Sequence, residues 1–150
     1  MQLFVAFIYL CSFSVTGNAA TLIKPDDLNL RFEGRYDVSK NKSISFDHPG
    51  FTINLNVIGT STARVLLSAF VIIPHRFWIN VDRTLSDHVI DTRNMTNNKI
   101  VEFPIATGLN SLTPHSISLV KVTEAQWNAL IPAPNFLTFE GFIVDEGAKS

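Results

Sequence analysis

Cysteine is nearly absent: the 150 residues contain one, Cys11. A lone thiol cannot close an intrachain disulfide, build a Cys-rich zinc site or form a CxxC redox pair. An excess of one charge is missing as well, with 12 basic against 13 acidic side chains and a formal net charge of -1. Phosphate backbones are held by clustered Lys and Arg, so no nucleic-acid partner is expected. Charged residues make up 17% of the chain and hydrophobic ones 46%, a balance that excludes a disordered polyelectrolyte. Internal repeats, coiled-coil heptads and low-complexity tracts are lacking too. No apolar run reaches the roughly 20 residues that a membrane-spanning helix needs. What remains is a near-neutral chain of single-domain length, with nine Phe beyond residue 19 available for a core.

The first 19 residues carry no charged side chain. Leu3 to Val15 is almost wholly apolar, Thr16-Gly17-Asn18 turns polar, and Gly17 and Ala19 place small residues at the -3 and -1 positions of a cut after Ala19. This layout predicts a secretory signal peptide over 1–19 and, with it, an extracellular protein. Removing it leaves 150 - 19 = 131 residues and no cysteine. That length supports a two-layer core without disulfides, and the loss of Cys11 excludes a Cys nucleophile. Two sequons follow, Asn41-Lys42-Ser43 and Asn94-Met95-Thr96, which make Asn41 and Asn94 the expected glycosylation positions in a eukaryotic secretory pathway. Residues 20–29 read as a lead-in, 30–147 as the folded domain and 148–150 as a tail.

Past residue 27 the dominant period is two. Phe51, Ile53, Leu55 and Val57 alternate with Thr52, Asn54 and Asn56, which gives a strand one buried and one wet face. Ala63, Val65 and Leu67 repeat this, with Leu66 an exception, as do Phe77, Ile79 and Val81, and Phe139, Gly141 and Ile143. Further strands are expected in 30–36, 88–91, 99–105 and 116–122. Gly and Pro punctuate between them, at Pro49-Gly50, Gly59, Gly108 and Pro114. Eight or more short strands predict an all-β sandwich with Greek-key or jelly-roll wiring. One short helix is expected at 123–130, ended by Pro132 and Pro134.

Catalytic motifs fail on context. Gly59-Thr60-Ser61-Thr62-Ala63 approaches the nucleophile elbow G-x-S-x-G, but Ala63 replaces the second Gly and a strand pattern follows where a helix is required. His48, His75, His88 and His115 form no HExxH and share no short ligand spacing. Asp37, Asp47, Asp145 and Glu146 are loop oxygens of the kind Ca²⁺ takes, yet no EF-hand spacing supports a site, so neither metal nor cofactor is expected. The aromatics point elsewhere. An indole can stack on the apolar face of a sugar ring, and Trp78 points away from the Phe77, Ile79 and Val81 face. The alternative is that Trp78 lies under a loop or another domain. Trp127, within Gln126-Trp127-Asn128, is a second candidate.

Several stretches, taken in order, resemble a known family. They are Phe32-Glu33-Gly34-Arg35, Phe46-Asp47-His48-Pro49-Gly50, Ile58-Gly59-Thr60-Ser61, Trp78-Ile79-Asn80-Val81-Asp82, Ala106-Thr107-Gly108-Leu109, His115-Ser116-Ile117-Ser118-Leu119 and Phe139-Glu140-Gly141-Phe142-Ile143-Val144-Asp145. Together they are similar to the N-terminal β-sandwich of carbohydrate esterase family 2, the acetylxylan esterases. The resemblance implies a galactose-binding-like jelly roll that precedes an SGNH hydrolase domain, where the catalytic Ser and His reside. No Gly-Asp-Ser block and no Asp-x-x-His block follow here, so no family catalytic residue carries over. The family usually has Asp-Gly in the hairpin that is Asp82-Arg83 here, and 129–135 looks like an added loop.

Three functions follow as expectations. One is a secreted non-catalytic module that binds polysaccharide or oligosaccharide through Trp78 or Trp127, with Asn80, Asp82 and Gln126 bonding hydroxyls. A second is a piece of a two-domain esterase whose SGNH partner domain lies outside this chain. A third is a structural or protein-interaction sandwich.

Overall fold

The computed structural model describes residues 19–69, 74–124 and 136–150. Eleven strands and no helix occur among them. In chain order they are β1 (Ala20–Ile23), β2 (Leu30–Glu33), β3 (Asp37–Val38), β4 (Ile44–Phe46), β5 (Thr52–Val57) and β6 (Thr62–Ala69). Then come β7 (Arg76–Val81), β8 (Thr84–Asp91), β9 (Val101–Thr107), β10 (His115–Lys121) and β11 (Leu137–Asp145). They form two antiparallel sheets, an all-β sandwich. One has the order β3-β4-β11-β6-β9 with β1 also on β11, and the other the order β2-β5-β10-β7-β8. The lead-in expected at 20–29 thus contains a strand. Most of the helix expected at 123–130 lies outside the described residues; Thr123 and Glu124 are not helical.

Alternation becomes burial as the period of two requires. Ile53, Leu55 and Val57 of β5, Ala63, Val65 and Leu67 of β6, Phe77 and Ile79 of β7, and Ile117 and Leu119 of β10 fill the space between the sheets. Aromatic rings close one end of it, with Phe32 against Phe51 and Phe139, and Phe46 against Phe77 at right angles.

The last strand departs from simple alternation. β11 pairs with β4 through Leu137–Phe139 and with β1 through Phe142–Asp145, while β6 runs along its other side. Its register with β6 slips between Phe139 and Gly141. A bulge adds one residue, so inward side chains change from odd positions (Leu137, Phe139) to even ones (Phe142, Val144). Gly141 sits there at φ 137°, and a Cβ would lie 2.6 Å from the carbonyl oxygen of Ile23. Only glycine fits where β1 comes this close.

Candidate functional site

The two sheets differ in what their outer faces do. On the β3-β4-β11-β6-β9 sheet, neighbouring side chains satisfy one another: Ser45 with Thr138, Ser68 with Glu140, and Arg64 with Glu102. On the β2-β5-β10-β7-β8 sheet, the register instead lines up rows of side chains with few such bonds. Arg31, Asn54, Ser118, Asn80 and Leu85 are successive cross-strand partners. Beside them run Glu33, Thr52, Val120, Trp78 and Val89. With neighbouring strands about 4.8 Å apart, Arg31 and Asn80 stand roughly 14 Å apart, room for an oligosaccharide and not merely one ring.

Trp78 is half exposed on this face, and Val89 and Leu85 flank it on the edge strand with 38% and 55% exposure. Asn80 lies two residues further along the same strand face, in the row adjoining Trp78. The side-chain amide of Asn54 donates to Glu33 Oε1 at 3.1 Å, which fixes its orientation. A depression of about 460 Å³ lies over this polar row, lined by Arg31, Glu33, Asn54, Asn80, Arg83 and Ser118 among others. An indole bordered by amides and a hydroxyl offers a flat apolar surface together with donors and acceptors, the combination that a sugar ring presents in return.

Asp82 has a different place. It occupies the β7–β8 turn, where Oδ1 accepts from the Ser116 backbone N–H at 2.8 Å and Oδ2 accepts from His115 Nδ1 at 2.7 Å. On the other side of that ring, Nε2 donates to the Asn110 carbonyl at 2.9 Å. Both ring nitrogens therefore face acceptors, and the imidazolium suits them. The Asp82 carboxylate first, then the Asn110 carbonyl, hold the His115 pKa above its ordinary value. The His115 hydrogen bond likewise lowers the Asp82 pKa. Thr113 Oγ1 lies 3.4 Å from Nε2, so acid, imidazole and hydroxyl resemble a hydrolytic triad in order. The Thr113 hydroxyl instead donates to the Asn110 carbonyl at 3.1 Å, which directs its proton away from the ring.

Ser61 is engaged in a similar structural role. Its N–H and Oγ donate to Asp145 Oδ2, each at 2.6 Å, and Thr62 Oγ1 donates to Oδ1 at 2.6 Å. The Ser61 hydroxyl, followed by that of Thr62, lowers the Asp145 pKa to about 2. The near-elbow is thus a turn that ties β6 to the end of β11. Among the described residues no three of His, Cys, Asp and Glu come together as a metal site.

A second depression, about 780 Å³, lies elsewhere, lined by Arg35, Tyr36, Asp47, His48 and Phe136 among others. His48 receives a hydrogen bond from Arg35 Nη1 at 3.2 Å and turns its other nitrogen to Asp47. The serines there bond to other hydroxyls, Ser39 to Ser43 and Ser45 to Thr138, so no Ser–His pair forms. Asn41 and Asn94 are both exposed, in loops. Gln126 and Trp127 lie outside the described residues. Sequence reasoning did not single out Asn54, Ser118, Arg31 or Arg83. The outward parity of Asn54 was visible, but its alignment with the others needs the register.

No protein-family model and no curated protein sequence matches the chain. Solved structures do match. An acetyl xylan esterase from Butyrivibrio proteoclasticus superposes with a TM-score of 0.67 at 14% identity, over 89% of this chain and 33% of that one. A family two carbohydrate esterase from Clostridium thermocellum, solved with cellohexaose, gives 0.61 at 22% identity, over 80% and 32%. The CBM36-1 domain of a multidomain xylanase from the hindgut metagenome of Trinervitermes trinervoides gives 0.56 at 10% identity, over 88% of this chain and 100% of that domain. The likeness is one of fold. The chain spans about a third of the length of the esterases it matches.

Proposed function

We propose that this chain is a secreted, non-catalytic jelly-roll module that binds polysaccharide on the outer face of the β2-β5-β10-β7-β8 sheet. Trp78 supplies the stacking surface, and Asn80, Ser118 and Asn54 bond hydroxyls. The observation that carries this reading is a half-exposed indole beside an aligned amide–hydroxyl–amide row. Fold neighbours that are carbohydrate esterases and a carbohydrate-binding domain support the ligand class by analogy. Asp82 contributes by holding the turn beside Asn80. Calorimetric titration with plain and acetylated xylan, mannan and cellulose oligosaccharides tests the proposal. Trp78→Ala should weaken binding roughly tenfold, the scale of one aromatic stacking contact with its buried area. Absence of binding at millimolar ligand, or affinity unchanged in Trp78→Ala, would sink it.

A second reading has its own support in the one-third coverage of the esterases. In it the chain is the accessory part of a two-domain deacetylase. Reading the gene beyond the codon for Ser150 decides this: an in-frame Gly-Asp-Ser block supports the deacetylase, and an authentic stop removes it.

A further inference from the structure

The depression on the sugar-binding face contains two arginines that the neutral-sugar reading does not use. Arg31 begins the polar row on β2, and Arg83 projects from the β7–β8 turn; both line the same 460 Å³ space. Neither makes an ion pair among the described residues. Other arginines do: Arg64 with Glu102 at 2.8 Å, and Arg76 and Arg93 with Asp91 at 3.1 and 2.7 Å. Two arginines against the one carboxylate of Glu33 leave the lining with a net side-chain charge of +1. Glu33 lies in the depression but accepts from Asn54, and Asp82 has both oxygens on His115 and Ser116.

The backbone at Arg83 adds an independent observation. Asp82 and Arg83 have φ of 51° and 66°, the left-handed pair of a two-residue hairpin turn. Such turns favour glycine at the second position, since a Cβ there is strained. A bulky, branched-head cation in that position breaks the local rule, and it belongs to a residue that lines the depression.

We propose that this depression selects an acidic saccharide, one that carries a uronate carboxylate, with Arg31 and Arg83 as the selecting groups. A guanidinium fork matches a carboxylate with two parallel hydrogen bonds, a geometry that a neutral hydroxymethyl group cannot return. The polar row holds ring hydroxyls while the arginines hold the charge. This inference rests on the reading that the face binds sugar, and the test separates the two.

Matched pairs of oligosaccharides serve as probes: xylotetraose and glucuronosyl-xylotriose, mannotetraose and tetramannuronate, cellotetraose and tetraglucuronate. The protein should bind the uronate member of at least one pair about tenfold tighter at low salt. That preference should shrink as salt is raised. Arg83→Gly and Arg31→Gln should each weaken uronate binding more than neutral-sugar binding and so reduce the preference. Arg83→Gly should also raise the melting temperature, which separates lost selectivity from lost folding. Equal affinity for both members of every pair, or a preference that survives in the double variant, overturns the inference while the sugar-binding reading stands. If no member of any pair binds, both fall.

Discussion

His115 has one side chain and two acceptors, and this makes its charge part of the fold. Asp82 and the Asn110 carbonyl take its two ring protons, at 2.7 and 2.9 Å, and so join the β7–β8 turn to the segment that leads into β10. The His115 pKa is raised above 6.5 by these partners. Its stabilisation is therefore complete below pH 6.5 and is lost as pH rises through the higher folded value. The Asp82 pKa is lowered from 3.8, so its share is present above that pH and lost as pH falls through the folded value. Lys121 acts in the opposite sense at higher pH. Burial pushes it down to about 8 from 10.5, so stability gains as pH rises through that interval. Between about pH 6 and 8 the His115 slope should dominate. His115→Gln should flatten urea-derived stability across that range and cost about 1–2 kcal/mol at pH 6. A variant profile that runs parallel to the wild type would show that the ring charge is not involved.

At the scale of the strand, Gly141 decides how β11 serves two partners. The bulge ends pairing with β4 and begins pairing with β1, and it turns both Phe139 and Phe142 into the core. Gly141→Ala places a methyl 2.6 Å from a backbone oxygen at a φ of 137°. The expected cost is about 2–4 kcal/mol, read as a lowered urea midpoint, with the largest loss of amide protection along β1. Uniform protection loss, or none, would place the strain elsewhere. The same bulge explains what was legible in the residues. β5 alternates strictly, and β6, β7 and β10 do so with single exceptions such as Leu66, so all four announce themselves, with errors of a residue or two at their ends. The stretch from Phe139 to Ile143 also alternates in the sequence, yet the inward parity changes within it, because a bulge depends on a distant strand. β1 and β4 have only four and three residues, too few to display a period. The binding face was half visible for a related reason. Strand parity turned Trp78 and Asn80 outward, but only the register places Asn54 and Ser118 in the Asn80 row.

For the whole molecule, the position of β1 bears on the proposed removal of a leader. A lone cysteine closes no intrachain disulfide, so the sandwich depends on burial, and its first strand begins at the residue that follows the expected cut. Ala20 to Ile23 pair in turn with Asp145, Val144, Ile143 and Phe142, and Ile23 is 4% exposed in the core. The Ala19 carbonyl accepts from the Glu146 N–H at 2.9 Å, a bond that a cut after Ala19 would give up. A processing site after Ala19 preserves all of β1, whereas one four residues later would remove it. Burial of Ile23 alone contributes about 1.5–3 kcal/mol, and the ladder along β11 would be lost with it. We therefore expect N-terminal sequencing of the secreted protein to begin at Ala20. A version that begins at Lys24 should melt several degrees lower and expose amides of Phe142 to Asp145 to exchange. A natural terminus beyond Ile23, with unchanged melting, would mean that β1 is dispensable and that the fold does not constrain where the leader is cut.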